Sequence, residues 1–393
     1  MALSIFIAHP SALLTDHEPH GDGLVAYGFV RGIAERGHRL HVAASRVALL
    51  APIPGDVHIH MIGSDRPAPI ARLEYMRRLR DLFVRLHAEQ PFDLVHQLNP
   101  VHLGLTLSLP RTGVPLVLGP YVPAWPAAGW GAAAPLVAAQ NPFKQLIAAA
   151  QQRRASALLL STAAARTKIP RHPSAGAIVR ELSGGIDERL WPPATREPSN
   201  QDILFLANLE RRKGALVLLE AFSMLAPELP QVRLLVAGDG SEHGRIAQAV
   251  ARSPFAERIV LMGKVPREEV GELMRSCAVF CIPSLGEPFG MTALEAMASS
   301  RPLVVTGAGG LRFLVDDEGG LRVPPGDAPA LSRALGDLLR DPERRRAMGE
   351  HNRKIVEQRY SWGRVIDRLE GVYREVTDSV DGARTGSSAP ARR

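Results

Sequence analysis

Short apolar runs alternate along the chain with longer segments whose apolar residues recur every three or four positions. That is the pattern of strands alternating with amphipathic helices. Residues 3–8 read as a first strand, 9–23 as a polar loop, and 24–36 as a helix with apolar positions 25, 29, 30 and 33. Gly37 stands where a helix should end, and 41–44 resume as a strand. The alternation continues with a helix at 72–86, strands at 92–96 and 115–119, an Ala- and Gln-rich helix at 135–156, and strands at 157–161 and 178–186. Gly184, Gly185, Pro192, Pro193 and Pro198 then break it.

The pattern restarts with a strand at 203–207, a helix from Gly214 to Met224, strands at 232–237 and 259–262, and a helix at 268–277. Val279–Ile282 is an apolar run with a β-branched residue at each end, stopped by Pro283. Residues 284–288 are loop chemistry, Met291–Ala298 are good helix formers, and Pro302 precedes a β-branched run, Leu303–Thr306. Helices are predicted at 329–340, at 342–359, and from Tyr360 to about Val376. The fold class is therefore α/β, with a domain at 1–183, a linker at 184–199 and a second doubly wound domain at 200–360. Residues 378–393 hold little to bury and are expected to be disordered.

Composition agrees with two soluble domains: 393 residues exceed one ordinary core, and 46% hydrophobic with 22% charged residues is unremarkable. The net charge of +7 favours anionic partners such as nucleotides, phosphorylated acceptors or a lipid surface. Only 5% of residues are aromatic and no nucleic-acid-binding motif is present, which disfavours nucleic acid. Two cysteines, Cys277 and Cys281, point to a reducing compartment, where they act as small hydrophobes. The N-terminus MALSIFIAHP lacks the basic leader and long apolar core of a signal peptide, and no apolar run is long enough to span a membrane. A cytoplasmic location is expected. Peripheral contact with the inner membrane face is left open by the helix at 72–86, which carries Arg72, Arg77, Arg78, Arg80 and Arg85.

The chemistry centres on the turn between Val279–Ile282 and Met291–Ala298. Gly290 opens a helix directly after a strand, and the unpaired N–H groups of that first turn suit a diphosphate. Glu287 precedes the turn and Glu295 lies one and a half turns into the helix. Set beside an anion, each carboxylate is better used in accepting hydrogen bonds from neutral hydroxyls. A nucleotide sugar has hydroxyls on both sides of its diphosphate.

The stretch EPFGMTALEAMA closely resembles the donor-site signature of retaining GT-B glycosyltransferases of family 4 (glycosyl transferases group 1), with both glutamates, Pro288, Phe289, Gly290, Leu294, Ala296 and Met297 in place. The resemblance is strong from about 203 to 325 and weak before 130. It implies two facing Rossmann-like domains, with a C-terminal helix at 361–377 crossing back to the first. It also implies transfer of a sugar from a UDP-sugar or GDP-mannose type donor to an acceptor hydroxyl, with retained configuration, a front-face mechanism and no metal. The donor is a co-substrate, and no cofactor is implied.

Glu287 and Lys213 carry over as the catalytic pair. Asn208, Arg212, Lys213, Val265, Glu287, Phe289, Gly290, Met291, Thr292 and Glu295 carry over as the donor-binding set. Asn208 departs from the family's usual Arg, for which Arg211 or Arg212 would substitute. The loop 307–310 would lie near the donor sugar. Gly21 and Gly23 match the acceptor-side glycine turn loosely, His96 ends a strand beside the cleft, and Tyr121 stands where a His is often found. The acceptor would be a carbohydrate, a lipid-linked precursor or a small metabolite. Asp16, His17, Glu18, His20 and Asp22 are ligand types without metal-site spacing; they are better suited to an acceptor, and Asp316, Asp317 and Glu318 are assigned no metal. Two other readings share these residues: a sugar-nucleotide epimerase of the same fold, and an inactive nucleotide-sugar-binding partner. A dinucleotide dehydrogenase is disfavoured by the missing G-x-G-x-x-G.

Overall fold

The computed structural model describes residues 2–18, 21–100, 104–122, 142–169, 177–194 and 196–386. His20, His102 and the predicted positions 123–126, 135–141 and 387–393 lie outside them. The described residues before 123, between 142 and 185 and after 361 form one unit, and 186–361 form a second.

The first unit holds a parallel sheet of seven described strands: β1 (Ser4–His9), β2 (Arg39–Ala44), β3 (Val57–Met61), β4 (Leu94–Gln97), β5 (Leu116–Tyr121), β6 (Ala157–Leu160) and β7 (Ile178–Glu181). Their order is β3-β2-β1-β4-β5-β6-β7. Both faces are covered, so the central strand β1 is buried along its whole length: Ile5 and Ile7 belong to one core cluster and Phe6 and Ala8 to another. Helix α1 (Gly21–Glu35) covers the first face, and α2 (Ala68–Glu89) the second, through Tyr75, Leu79, Leu82 and Phe83. Helix α3 (Pro142–Gln152) leads into β6.

The C-terminal helix, Trp362–Gly386, is part of this first unit. It docks on α1 where two glycines remove side chains: a Cβ at Gly28 would lie 1.9 Å from the Trp362 ring, and one at Gly32 2.5 Å from Ile366. Phe29 meets Trp362 edge-on at 5.2 Å, and Arg36 bonds Asp367 at 2.5 Å and Glu370 at 3.1 Å. The helix runs ten residues past the predicted Val376, so residues 378–386 of the expected disordered tail are helical. Extending a helix already nucleated by packing adds one hydrogen bond for each residue fixed, which polar residues tolerate.

The second unit repeats the design with β8 (Gln201–Leu206), β9 (Val232–Ala237), β10 (Ile259–Gly263), β11 (Val279–Ile282), β12 (Leu303–Thr306) and β13 (Gly320–Val323). These are parallel in the order β10-β9-β8-β11-β12-β13. Ile203, Phe205, Val279 and Cys281 face one core cluster; Leu204, Phe280, Ile282 and Val305 face the other. The helices are α4 (Ala215–Leu225), α5 (His243–Ala251), α6 (Arg267–Ser276), α7 (Met291–Ala298), α8 (Leu311–Leu314), α9 (Ala328–Arg340) and α10 (Pro342–Ile355), with a π-turn at Val356–Tyr360. The stretch 184–199, predicted as a linker, is partly packed: Ile186 and Trp191 are buried in this unit's core beside Met274 and Phe280. Their bulk outweighs the surrounding glycines and prolines.

Candidate functional site

The order of the second sheet reverses between β8 and β11, and an open parallel sheet leaves a ligand crevice beyond the strand ends at such a point. Ile203 pairs with Val279 and Leu204 with Phe280, so both strands end at the same level. The chain leaving β8 makes one 3-10 turn, Arg211–Lys213, ended by Gly214 at φ +76°. A Cβ on Gly214 would sit 2.0 Å from the Pro283 carbonyl oxygen. The Leu285 N–H donates to the Arg212 carbonyl at 2.8 Å. The two loops are thus held backbone to backbone, and this brings Lys213 Nζ to 2.5 Å from Glu287 Oε2. Both side chains are mostly buried.

The loop after β12 grips Glu287 from another side. The Gly310 N–H donates to the Glu287 carbonyl at 2.6 Å. Gly309 has φ +64°, and a Cβ there would lie 2.3 Å from the same carbonyl oxygen. Only glycine allows that approach. Gly290, at φ +99°, opens α7 with no side-chain cap, so its first-turn N–H groups have no partner within the helix. Met291 and Thr292 are half-buried on that turn. Phe289, expected among the donor-binding residues, turns its ring into the core against Tyr360 at 6.1 Å. Its side chain anchors the turn, leaving only its backbone for a ligand.

Glu295 is buried on α7, and burial pushes its pKa up to about 7 against the opposing pull of Arg267. Arg267 Nη1 lies 3.7 Å from Glu295 Oε1, and its guanidinium sits 5.8 Å from the centre of the buried Trp191 ring. Sequence reasoning missed Arg267 and Trp191; neither lies in the signature, and only the fold brings them to Glu295. Val265 is half-buried two residues before Arg267. Asn208 is exposed. Arg212 pairs with Glu210 at 2.5 Å, so its charge already has a carboxylate.

The first unit corrects three expectations. His96 is wholly buried: its Nε2–H donates to the Gly119 carbonyl at 3.1 Å and its Nδ1 accepts from the Tyr373 hydroxyl at 2.6 Å. With burial pulling its pKa down to about 4, it is a neutral core residue tying β4 and β5 to the C-terminal helix, with neither nitrogen left for an acceptor. Tyr121 is also buried, its hydroxyl bonded to Gln152 and its pKa pushed up to about 12 by burial. Gly21 and Gly23 lie in the first turn of α1, not in a turn before it; Gly21 is exposed and Gly23 buried. The helix starts three residues early, with Asp22 in its first turn, where a carboxylate suits the N-terminus.

Asp16 bonds His17 at 2.7 Å and the Leu50 N–H at 3.2 Å. Among the described residues no group of three or more His, Cys, Asp or Glu side chains is placed to hold a metal ion. Cys277 and Cys281 are buried and free, with both thiols pushed up by burial.

The family described as "Glycosyl transferases group 1" matches residues 188–355. The D-inositol 3-phosphate glycosyltransferase of Corynebacterium urealyticum is 35% identical over 181 residues, 44% of this chain and 42% of that protein. The MMP alpha-(1->4)-mannosyltransferase of Mycolicibacterium hassiacum is 28% identical over 298 residues, 74% of this chain and 72% of that protein. The chain spans less than half the length of the first curated relatives it matches. Among solved structures, sucrose-phosphate synthase from Thermosynechococcus elongatus has a TM-score of 0.76 at 20% identity, covering 95% of this chain and 99% of that one. HepE of Anabaena, in complex with UDP, has a TM-score of 0.72 at 19% identity, covering 97% of this chain and all of that one. The two doubly wound units are those of the GT-B fold.

Proposed function

Taking residues 188–355 as the glycosyl transferases group 1 domain they match, we propose that the chain moves a sugar from a nucleoside-diphosphate sugar to an acceptor hydroxyl. The observation that carries this reading is the Lys213–Glu287 pair, held at the switch point of the second sheet beside the open first turn of α7. A diphosphate would lie on that turn. Lys213 has three N–H donors, so one can stay on Glu287 while others meet phosphate oxygens. Fixed charges and dipoles aimed where charge builds up on the leaving group supply the largest catalytic contribution in such a reaction. Glu287 would accept from the donor sugar's hydroxyls, and Glu295 from the ribose.

The step proposed is retaining and front-face. The bond from the anomeric carbon to the phosphate oxygen breaks, the bond to the acceptor oxygen forms on the same face, and the acceptor proton passes to the departing phosphate. No residue of this chain is assigned as nucleophile, and no metal ion is assigned to the diphosphate. HepE has been crystallised with UDP, with UDP and glucose, and with UDP-glucose, which supports a UDP-sugar donor here; GDP-mannose is the second donor to try. The transferase names of the relatives favour transfer over epimerisation. The first unit, with Gly21 and Gly23 at the start of α1, is assigned to the acceptor, an inositol phosphate, carbohydrate or lipid-linked hydroxyl.

No described helix is long and apolar enough to cross a membrane. A cytoplasmic site of action is proposed, with α2 touching an anionic membrane surface: Ile70, Leu73 and Val84 are exposed there beside Arg77 and Arg80. Sedimentation with phosphatidylglycerol vesicles against phosphatidylcholine vesicles tests this contact. The function is tested by incubating the chain with UDP-glucose or GDP-mannose and a panel of hydroxyl acceptors. Release of UDP or GDP together with a glycosylated product is expected; isomerised donor without an acceptor would replace the reading with epimerisation.

A further inference from the structure

We infer that Arg267 is a positioning residue for the nucleoside half of the donor, holding Glu295 as a carboxylate turned toward the ribose hydroxyls. The inference rests on the donor reading above. The Glu295 side chain is nine-tenths buried, yet among the described residues no hydrogen-bond donor meets its carboxylate. Buried carboxylates ordinarily accept several hydrogen bonds. Arg267 is 3.7 Å away, an ion pair too long to be a good hydrogen bond. The Glu295 oxygens are therefore left for groups outside the chain, and a ribose diol supplies two donors of the right kind.

Arg267 is built to stay where it is. It is the first residue of α6, directly after Pro266, and its guanidinium lies over Trp191, which is itself packed in the core. It remains 46% exposed, so it borders solvent and Glu295 at once. The other charges on elements around α7 are committed elsewhere. Lys213 is paired with Glu287, and Arg353 of α10 donates to the carbonyls of Glu188, Trp191 and Ala298 while pairing with Glu357. Arg301 donates to the Cys277 carbonyl. Arg267 alone among the described residues opposes the effect of burial on Glu295. Without it the carboxyl would be protonated to higher pH, and a neutral acid is a poorer acceptor for two hydroxyls.

The test is calorimetric titration of the full chain with UDP, GDP and ADP between pH 6 and 9. The wild type is expected to bind one of them, more weakly as pH falls through about 7. Arg267→Ala should weaken that binding about threefold at pH 7.5 and nearer tenfold at pH 6, which is what a one-unit rise in the Glu295 pKa from about 7 gives. The gap should close toward pH 9, and Arg267→Lys should restore most of the affinity. If Arg267→Ala keeps the wild-type affinity and pH profile, or loses affinity equally at every pH, the inference is overturned while the donor reading stands. If the wild type binds none of the three nucleotides, both are overturned.

Discussion

Lys213 Nζ and Glu287 Oε2 lie 2.5 Å apart although 74 residues of chain separate them. The contact follows from sheet order: the loops that carry them leave neighbouring strands at one level, and Gly214 and Gly309 let three loop backbones touch. Each charge is the other's counter-ion in a mostly buried place, so the pair is set before any ligand arrives.

Lys213→Ala and Glu287→Ala are each expected to lower turnover at least about a hundredfold, on the order of 2.7 kcal/mol. The double variant should lose little more than either single one, because the two side chains act as a unit. Steady-state rates of nucleotide release check this; near-normal rates in folded single variants would sink the assignment.

Gly309→Ala should destabilise the second unit by about 2 kcal/mol, since it combines a left-handed φ with a 2.3 Å approach to the Glu287 carbonyl. Activity should fall with it as Glu287 is displaced. Gly244→Ala is the control: α5 has open space there, so the change should stabilise by about 0.5–1 kcal/mol through helix propensity. Urea melts of the two variants distinguish strain from a general intolerance of alanine.

Two buried groups make stability depend on pH with opposite signs. Glu295 has a folded pKa of about 7, above the ordinary 4.5, so its contribution is full below 4.5 and lost as pH rises through 7. His96 has a folded pKa of about 4, below the ordinary 6.5, so its contribution is present above 6.5 and lost as pH falls through 4. The windows overlap, and the variants separate them. Relative to the wild type, Glu295→Gln should gain about 3 kcal/mol between pH 4.5 and 7. His96→Gln should lose its relative disadvantage between pH 6.5 and 4. Calorimetric melts across that range provide the check.

Gly28→Ala would force a methyl group into the Trp362 ring. It should cost the first unit about 2 kcal/mol by overpacking, and Trp362→Ala about 3 kcal/mol by leaving a cavity. Both should expose the C-terminal helix to limited proteolysis while urea melts of the second unit stay unchanged.

The centre of the second unit was legible from sequence to the residue: Val279–Ile282, Met291–Ala298 and Leu303–Thr306 have the bounds expected of them. Buried parallel strands are apolar on both faces, and Pro283 and Pro302 mark their edges, so local chemistry sufficed. β3, with the sequence VHIHM, was not anticipated because its histidines break the apolar run. His96 was misread because a strand-end imidazole looks the same whether it faces a crevice or a core, and its partner Tyr373 is 277 residues away. Arg267 and Trp191 escaped for the same reason. Their roles are set by what the fold brings beside them, and no spacing along the chain encodes that.

The C-terminal helix completes the first unit although it is synthesised after the second. A ribosome therefore releases the second unit with all its strands in hand while the first still waits for the segment that seals Phe29 and the α1 glycines. A chain stalled or clipped just before Trp362 would carry a naked greasy flank on an otherwise assembled sheet, a target for chaperones and proteases. Folding of the earlier half therefore waits on residues 362–386.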